Sequence, residues 1–215
     1  MKANENIILI GGGGHCKACI DVIETENKFQ IIGIIDVPEK LGQVILGYKI
    51  IGNDDNIPDF AKQGYNFLIT IGHLGNPNQR IKLYDIVKEN GGLLPVIISP
   101  IAHVSKHSSI LQGTIIMHHA LINADAKISE NCIINNKALI EHDVIIEDNT
   151  HISTGALING NCRIGKNCLV GSGVVVKQLI NICQNTIVGA GAVVVCDIVN
   201  SGIYTGIPAK KKDNE

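Results

Sequence analysis

The chain has 215 residues, with 18 Lys and Arg against 20 Asp and Glu and a net charge of −2. That balance argues against a protein that grips nucleic acid through a basic face, and no apolar run approaches the ~20 residues of a membrane helix. Aromatics make up only 3% and Trp is absent, which suits a narrow interior filled by Ile, Val and Ala.

The first hundred residues alternate strand and helix signals. Ile7–Ile10 is a fully apolar strand, followed by Gly11–Gly14, His15 and a helix through Ala18, Ile20, Val22 and Ile23. A second apolar strand, Ile31–Ile35, ends in Asp36, and a third, Phe67–Ile71, ends in Gly72 and His73. Asn76-Pro77 starts a helix carrying Ile81, Leu83, Tyr84, Ile86 and Val87, and Gly91-Gly92 stops it. Leu93-Leu94 and Val96–Ile98 read as a last strand. The pattern predicts a small α/β, Rossmann-like parallel sheet over residues 1–100. Its Gly-rich loop lies between a strand and a helix N-terminus, where bare N–H groups can meet a phosphate. Asp36 stands at the strand end where an acid commonly meets a ribose. The short domain fits a nucleotide better than a dinucleotide.

From Ile101 the rhythm changes. Every sixth residue is aliphatic from Val104 through Ile116, Ile128, Ile140, Ile152 and Ile164 to Val194, and the position two before each is small or β-branched. Neither a helix nor a flat sheet asks for a period of six. A hexapeptide repeat builds a parallel β-helix, each hexad giving a short strand and a corner. The division therefore falls near Ser99-Pro100, with residues 101–215 forming the β-helix and a C-terminal tail. Cys132, Cys162 and Cys168 occupy the small-residue slot and read as buried apolar groups; the lone Cys16-x-x-Cys19 pair gives little sign of redox work. Lys210–Lys212 read either as a solvated tail or as a phosphate contact.

Polar departures from the repeat point to chemistry. Glu141, His142 and Asp143 share one corner, and a carboxylate beside an imidazole suits a general base. His103, His107, His118 and His119 are read as solvated corner residues. No ligand spacing such as His-Glu-x-x-His supports a metal site. Met1–Asn6 lacks the basic region of a signal peptide, so a cytoplasmic protein is expected.

The Gly-rich α/β domain, the unbroken hexads, Ile140-Glu-His-Asp143 and the ending Gly206-Ile-Pro-Ala-Lys210 together resemble the bacterial sugar acyltransferases of the left-handed β-helix superfamily. The chain looks most like the branch that N-acetylates nucleotide-linked 4-amino sugars, of the UDP-bacillosamine N-acetyltransferase type; sialic acid O-acetyltransferases are close relatives. The resemblance implies a left-handed coil, acetyl-CoA as donor, direct transfer to a nucleotide-activated amino sugar, and a homotrimer. It assigns His142 as base, with Asp143 (where the branch often has Glu) and Glu141 beside it. On the donor side it implies His151, Gly160, Gly171, Gly173, Gly189 and Gly191. On the acceptor side it implies Gly13, Gly14, His15, Asp36, Gly72 and Asn135, with His73 where relatives often have Asn. O-acetylation of a sugar is the nearest rival. A non-catalytic scaffold or a zinc carbonic anhydrase-like hexapeptide protein, using His118, His142 and His151, is the rival from another class.

Overall fold

The computed structural model describes residues 5–212. Its first domain is a five-stranded sheet of β1 (Glu5–Ile10), β2 (Phe29–Ile35), β3 (Val44–Ile45), β4 (Tyr48–Gly52) and β5 (Asn66–Ile69), in the order β3-β4-β2-β1-β5. All pairs are parallel except the β3–β4 hairpin. The central β1 is apolar along Ile7–Ile10 because both of its faces are covered. Helices α1 (Gly14–Glu26), α2 (Ile57–Lys62) and α3 (Asn78–Glu89) complete the layers. α1 starts on Gly13 without a side-chain cap and stops at Asn27, whose φ of 54° takes the left-handed turn. The hairpin and α2 are additions to the elements expected from sequence.

One expected strand changes partner. Only Leu93 bridges to β5, whereas Ile97–Ile98 pairs with Ile115–Ile116 and opens the β-helix. Pro95, with no N–H to donate, separates the two stretches.

The β-helix stacks each strand on the one eighteen residues later, so that Ile116, Ile134, Ile152 and Val170 line up in register. Three hexads make one coil and three parallel sheets make a triangular prism. In each two-residue strand the second residue points inward, and these aliphatics form one core from Ile116 to Val194. The corners explain the rest of the hexad. From Gly113 to Gly191 every sixth residue has φ between 57° and 71°. Asn, Asp and Gly tolerate that conformation, which is why they dominate the position. His119, Lys137 and Leu179 adopt it as exceptions.

The three faces differ in what covers them. Outward residues of the first face, including Ile97, Ile115, Ile133 and His151, are buried beneath the α/β domain. The second face carries Leu121, Leu139, Val175 and Val193, all partly exposed, and the exposed Leu157 outward. The third face is mostly polar, with Ser109, Lys127, Arg163 and Asn181 around Ile145.

The small-slot cysteines are free thiols inside the prism. At one corner Thr114, Cys132, Thr150, Cys168 and Thr186 alternate coil by coil. Thr150 Oγ1 donates to Gly165 O at 2.9 Å, and Cys132 and Cys168 donate to Glu147 O and Cys183 O, each at 3.2 Å. Burial pushes both thiols up to about 12, so they stay protonated. The chain end differs from the expected tail. Gly202–Thr205 stacks on Thr186–Val188, and Lys210–Lys211 returns antiparallel on it as a closing hairpin.

Candidate active site

The Glu141–Asp143 corner joins the second face to the third. His142 Nδ1 lies 2.8 Å from Asp143 Oδ2, with both side chains about half exposed. The Asp143 carboxylate accepts a hydrogen bond from Nδ1–H and raises the imidazole pKa, helped by the nearby Glu141 charge. Nε2 is thereby left to exchange protons. Glu141 is occupied elsewhere, accepting from Asn123 Nδ2 at 2.8 Å and from the His142 N–H at 3.3 Å. One coil below, Gly160 makes room for the ring: a Cβ there would stand 2.7 Å from His142 Cε1 and Nε2. The Gly160 N–H has no hydrogen-bond partner among the described residues.

His151 sits in the opposite setting. It faces out from the first face, yet is only 6% exposed because the α/β domain covers it. Its Nδ1 donates to His73 O at 3.0 Å, and its Nε2 accepts from Asn135 Nδ2 at 3.3 Å. The His73 ring lies 5.6 Å away, donating from Nε2 to Asn149 O at 3.1 Å and accepting from Gly75 N–H. His15 completes the group, with Gly72 against its ring and its Nε2 buried without a partner. Burial is the main cause that holds all three imidazoles neutral, lowering His15 to about 3 and His73 to about 4 and shifting His151 down as well. Arg80, 1% exposed, lowers them further.

The remaining expected residues fall into two places. At the Gly-rich loop, Asp36 Oδ2 accepts from Gly12 N–H at 2.8 Å and from Lys40 Nζ at 2.9 Å, while Oδ1 accepts from Val37 N–H. These bonds hold its carboxyl below the ordinary range against the opposing effect of burial. Open space surrounds Gly13 and Gly14. Gly171, Gly173, Gly189 and Gly191 lie on the same edge as Asn135, between the first and second faces. Gly171 and Gly189 have packing reasons: a Cβ would press on Ala190 N at 2.6 Å and on Thr205 Cγ2 at 2.7 Å. Gly173 and Gly191 occupy left-handed corners open to solvent.

The His142 set and the His151 set therefore lie on different edges of one chain. Sequence reasoning missed Arg80 and Asn123, and it misjudged His118. That ring is no solvated corner: Nε2 donates to Asp21 on α1 at 2.8 Å, and Nδ1 lies 2.6 Å from the buried Ser99 hydroxyl, clamping the domains together. Among the described residues no group of three His, Cys, Asp or Glu could hold a metal ion. Two open clefts, of about 660 and 440 Å³, are lined by other residues, Asn66 and Tyr65 in one and Arg163 and Asn181 in the other. Neither reaches the histidines, and neither brings together groups suited to the chemistry.

Stacked hexads behind a nucleotide-type domain, with a carboxylate-oriented histidine on a prism edge, define an acyltransferase of the hexapeptide kind. Residues 6–87 match the family model of the PglD N-terminal domain, and residues 125–160 and 143–178 match that of the bacterial transferase hexapeptide (six repeats). A histidine-to-asparagine variant of perosamine N-acetyltransferase from Caulobacter crescentus, solved with CoA and GDP-perosamine, is 30% identical. The match covers 99% of each chain with a TM-score of 0.91. The acetyltransferase domain of PglB from Neisseria gonorrhoeae, in complex with acetyl coenzyme A, is 29% identical over 98% of this chain and 100% of that one, with a TM-score of 0.91. WeeI from Acinetobacter baumannii shares the fold at 23% identity, over 96% and 99% of the two chains, with a TM-score of 0.78. A sequence search of curated proteins finds no match. The chain belongs to the sugar acetyltransferases of the hexapeptide-repeat superfamily, and its coil is the left-handed β-helix.

Proposed function

We propose that the enzyme moves the acetyl group of acetyl-CoA directly onto the 4-amino group of a nucleotide-linked amino-deoxy sugar, with His142 as general base. The observation that carries this is the His142 corner. An amine attacking a thioester must lose a proton, and Nε2 of an imidazole oriented by Asp143 can take it as the C–N bond forms. Negative charge then develops on the thioester oxygen, and the unengaged Gly160 N–H beneath the ring is a fixed donor for it. No covalent enzyme intermediate is needed, and none of the buried thiols is placed to form one.

The two domains divide the substrates. Residues 1–100 take the acceptor, with its diphosphate at the uncapped N-terminus of α1 near Gly13, Gly14 and His15, and its nucleoside toward Asp36. Residues 101–215 take the donor, with pantetheine along the edge of Gly171, Gly173, Gly189 and Gly191. Gly72, Asn135 and the neutral His151 border the sugar and thioester. Glu141, through Asn123, steadies the base corner. The partly exposed Leu/Val stripe of the second face supports a homotrimer, because an aliphatic sheet surface of this kind gains by being covered. The edges bearing His142 and Asn135 both flank that face, so a second copy laid on it joins the two halves of the site. No helix of the described residues is long and apolar enough to cross a membrane, and use of acetyl-CoA as donor would favour work in the cytoplasm.

The test is a panel of UDP-, dTDP- and GDP-linked 4-amino sugars, with free sialic acid as control, incubated with acetyl-CoA while thiol release is followed. One nucleotide-linked amine should support turnover well above the rest. Preference for sialic acid would move the enzyme to the O-acetyltransferases, and silence across the panel would remove the acceptor assignment.

A further inference from the structure

Among the described residues Arg80 is the largest fully buried side chain, at 1% exposure, and no carboxylate pairs with it. A buried guanidinium ordinarily demands a counter-charge, because desolvation is expensive. Here backbone carbonyls from both domains stand in. Nη1 donates to Ile69 O at 2.5 Å and Ile71 O at 2.9 Å, at the end of β5. Nε donates to Asn131 O at 3.2 Å and Nη2 to Gly113 O at 3.4 Å, on corners of the β-helix. The ionisable groups that feel it are Cys19 and His15 on α1, Tyr84 on α3, His73 on the loop after β5, and Cys132 and His151 on the β-helix. All are neutral at pH 7 by type or by burial, so the positive charge stands uncancelled. Its partner Ile71 packs against Gly11, and Thr70 Oγ1 donates to Gly11 O at 2.6 Å, which ties the Arg80 site to the Gly-rich loop.

We infer that Arg80 is a positioning residue for the acceptor: its carboxylate-free guanidinium pins the loop after β5 to the β-helix and supplies the fixed positive charge behind the seat of the substrate's diphosphate. The inference rests on the acceptor reading above. It gives the diphosphate a fixed charge from behind, in a site whose histidines are neutral and whose Lys40 is already paired with Asp36. It also accounts for a buried charge that would otherwise only destabilise the fold.

Two variants and one wild-type measurement test it. Arg80→Met removes charge and hydrogen bonds at similar volume; Arg80→Gln keeps two N–H donors without charge. Both should raise the KM for the nucleotide sugar about 10- to 100-fold and leave that for acetyl-CoA within about 2-fold. Wild-type KM in Arg80→Gln would show that the carbonyl ties suffice and overturn the role of charge. Equal loss for both substrates would reduce Arg80 to a structural part. Should neither variant fold, binding of UDP-N-acetylglucosamine, dTDP-glucose and GDP-mannose to the wild-type protein decides. These diphosphate diesters keep their charge between pH 5.5 and 8, so affinity for the one that binds should stay flat across that range. Affinity rising about 5-fold or more toward pH 5.5 would assign the charge to the histidines and overturn the inference. Binding by none of the three would overturn it together with the acceptor assignment, whereas binding that tightens in acid overturns it alone.

Discussion

His142 and His151 are half a coil apart on the same β-helix, and their surroundings give one side chain two opposed chemistries. His142 stands on an edge, bonded through Nδ1 to Asp143, laid over Gly160 and half exposed, so its pKa is raised and its Nε2 can gain and lose a proton. His151 lies under the second domain with both nitrogens engaged and its pKa lowered. The first can move a proton; the second can hold a hydrogen-bond pattern unchanged across the working pH. The hexad phase does not produce this difference. A whole domain packed over one face of the prism does.

The sharpest way to break the comparison is to remove the exposed ring. His142→Ala should lower kcat by roughly 10²–10⁴-fold with an unchanged circular dichroism spectrum; near-normal turnover would strip His142 of the base role.

A smaller effect separates the buried group. His15 and His73 have folded pKa values of about 3 and about 4, below the 6.5 of an unfolded histidine. The unfolded chain therefore binds more protons between pH 6.5 and those values, so stability is full above pH 6.5 and falls as the pH drops. Each buried histidine should account for a loss on the order of 2 kcal/mol by pH 5. Urea unfolding at pH 7 and pH 5 measures it, and His73→Asn should remove one histidine's share. An unfolding midpoint that does not move between those pH values would contradict the neutral cluster.

The finest distinction concerns orientation. With its pKa raised, His142 becomes protonated and loses function as pH falls through a point above its ordinary 6.5. Asp143→Asn should move the acid limb of the kcat/KM profile to lower pH while kcat at its plateau declines modestly. A limb that stays in place would mean that the carboxylate does not tune the base.

Much of the architecture was legible in the hexads, because each aliphatic, small and corner position answers to its own coil and the one below. Asn, Asp or Gly at successive corners reflects the local backbone, whose φ near +60° leaves few other choices. The cluster of Glu141, His142 and Asp143 was visible for the same reason, being contiguous. The short hairpin of β3 and β4 and the six-residue α2 were not visible, since neither is long enough to show a period. Ile97–Ile98 has the same apolar character in either sheet, and only stacking on Ile115–Ile116 assigns it to the β-helix.

By itself, then, the sequence determined the repeat, the Gly-rich turn and the polar corner, all of which depend on residues near one another along the chain. Tertiary structure alone decided that His118 clamps two domains, that His15, His73 and His151 meet as neutral rings, and that Arg80 is buried among carbonyls. Those outcomes depend on which surfaces lose water when the domains dock. Loss of water turns the same imidazole from an exchangeable base into a fixed hydrogen-bonding group.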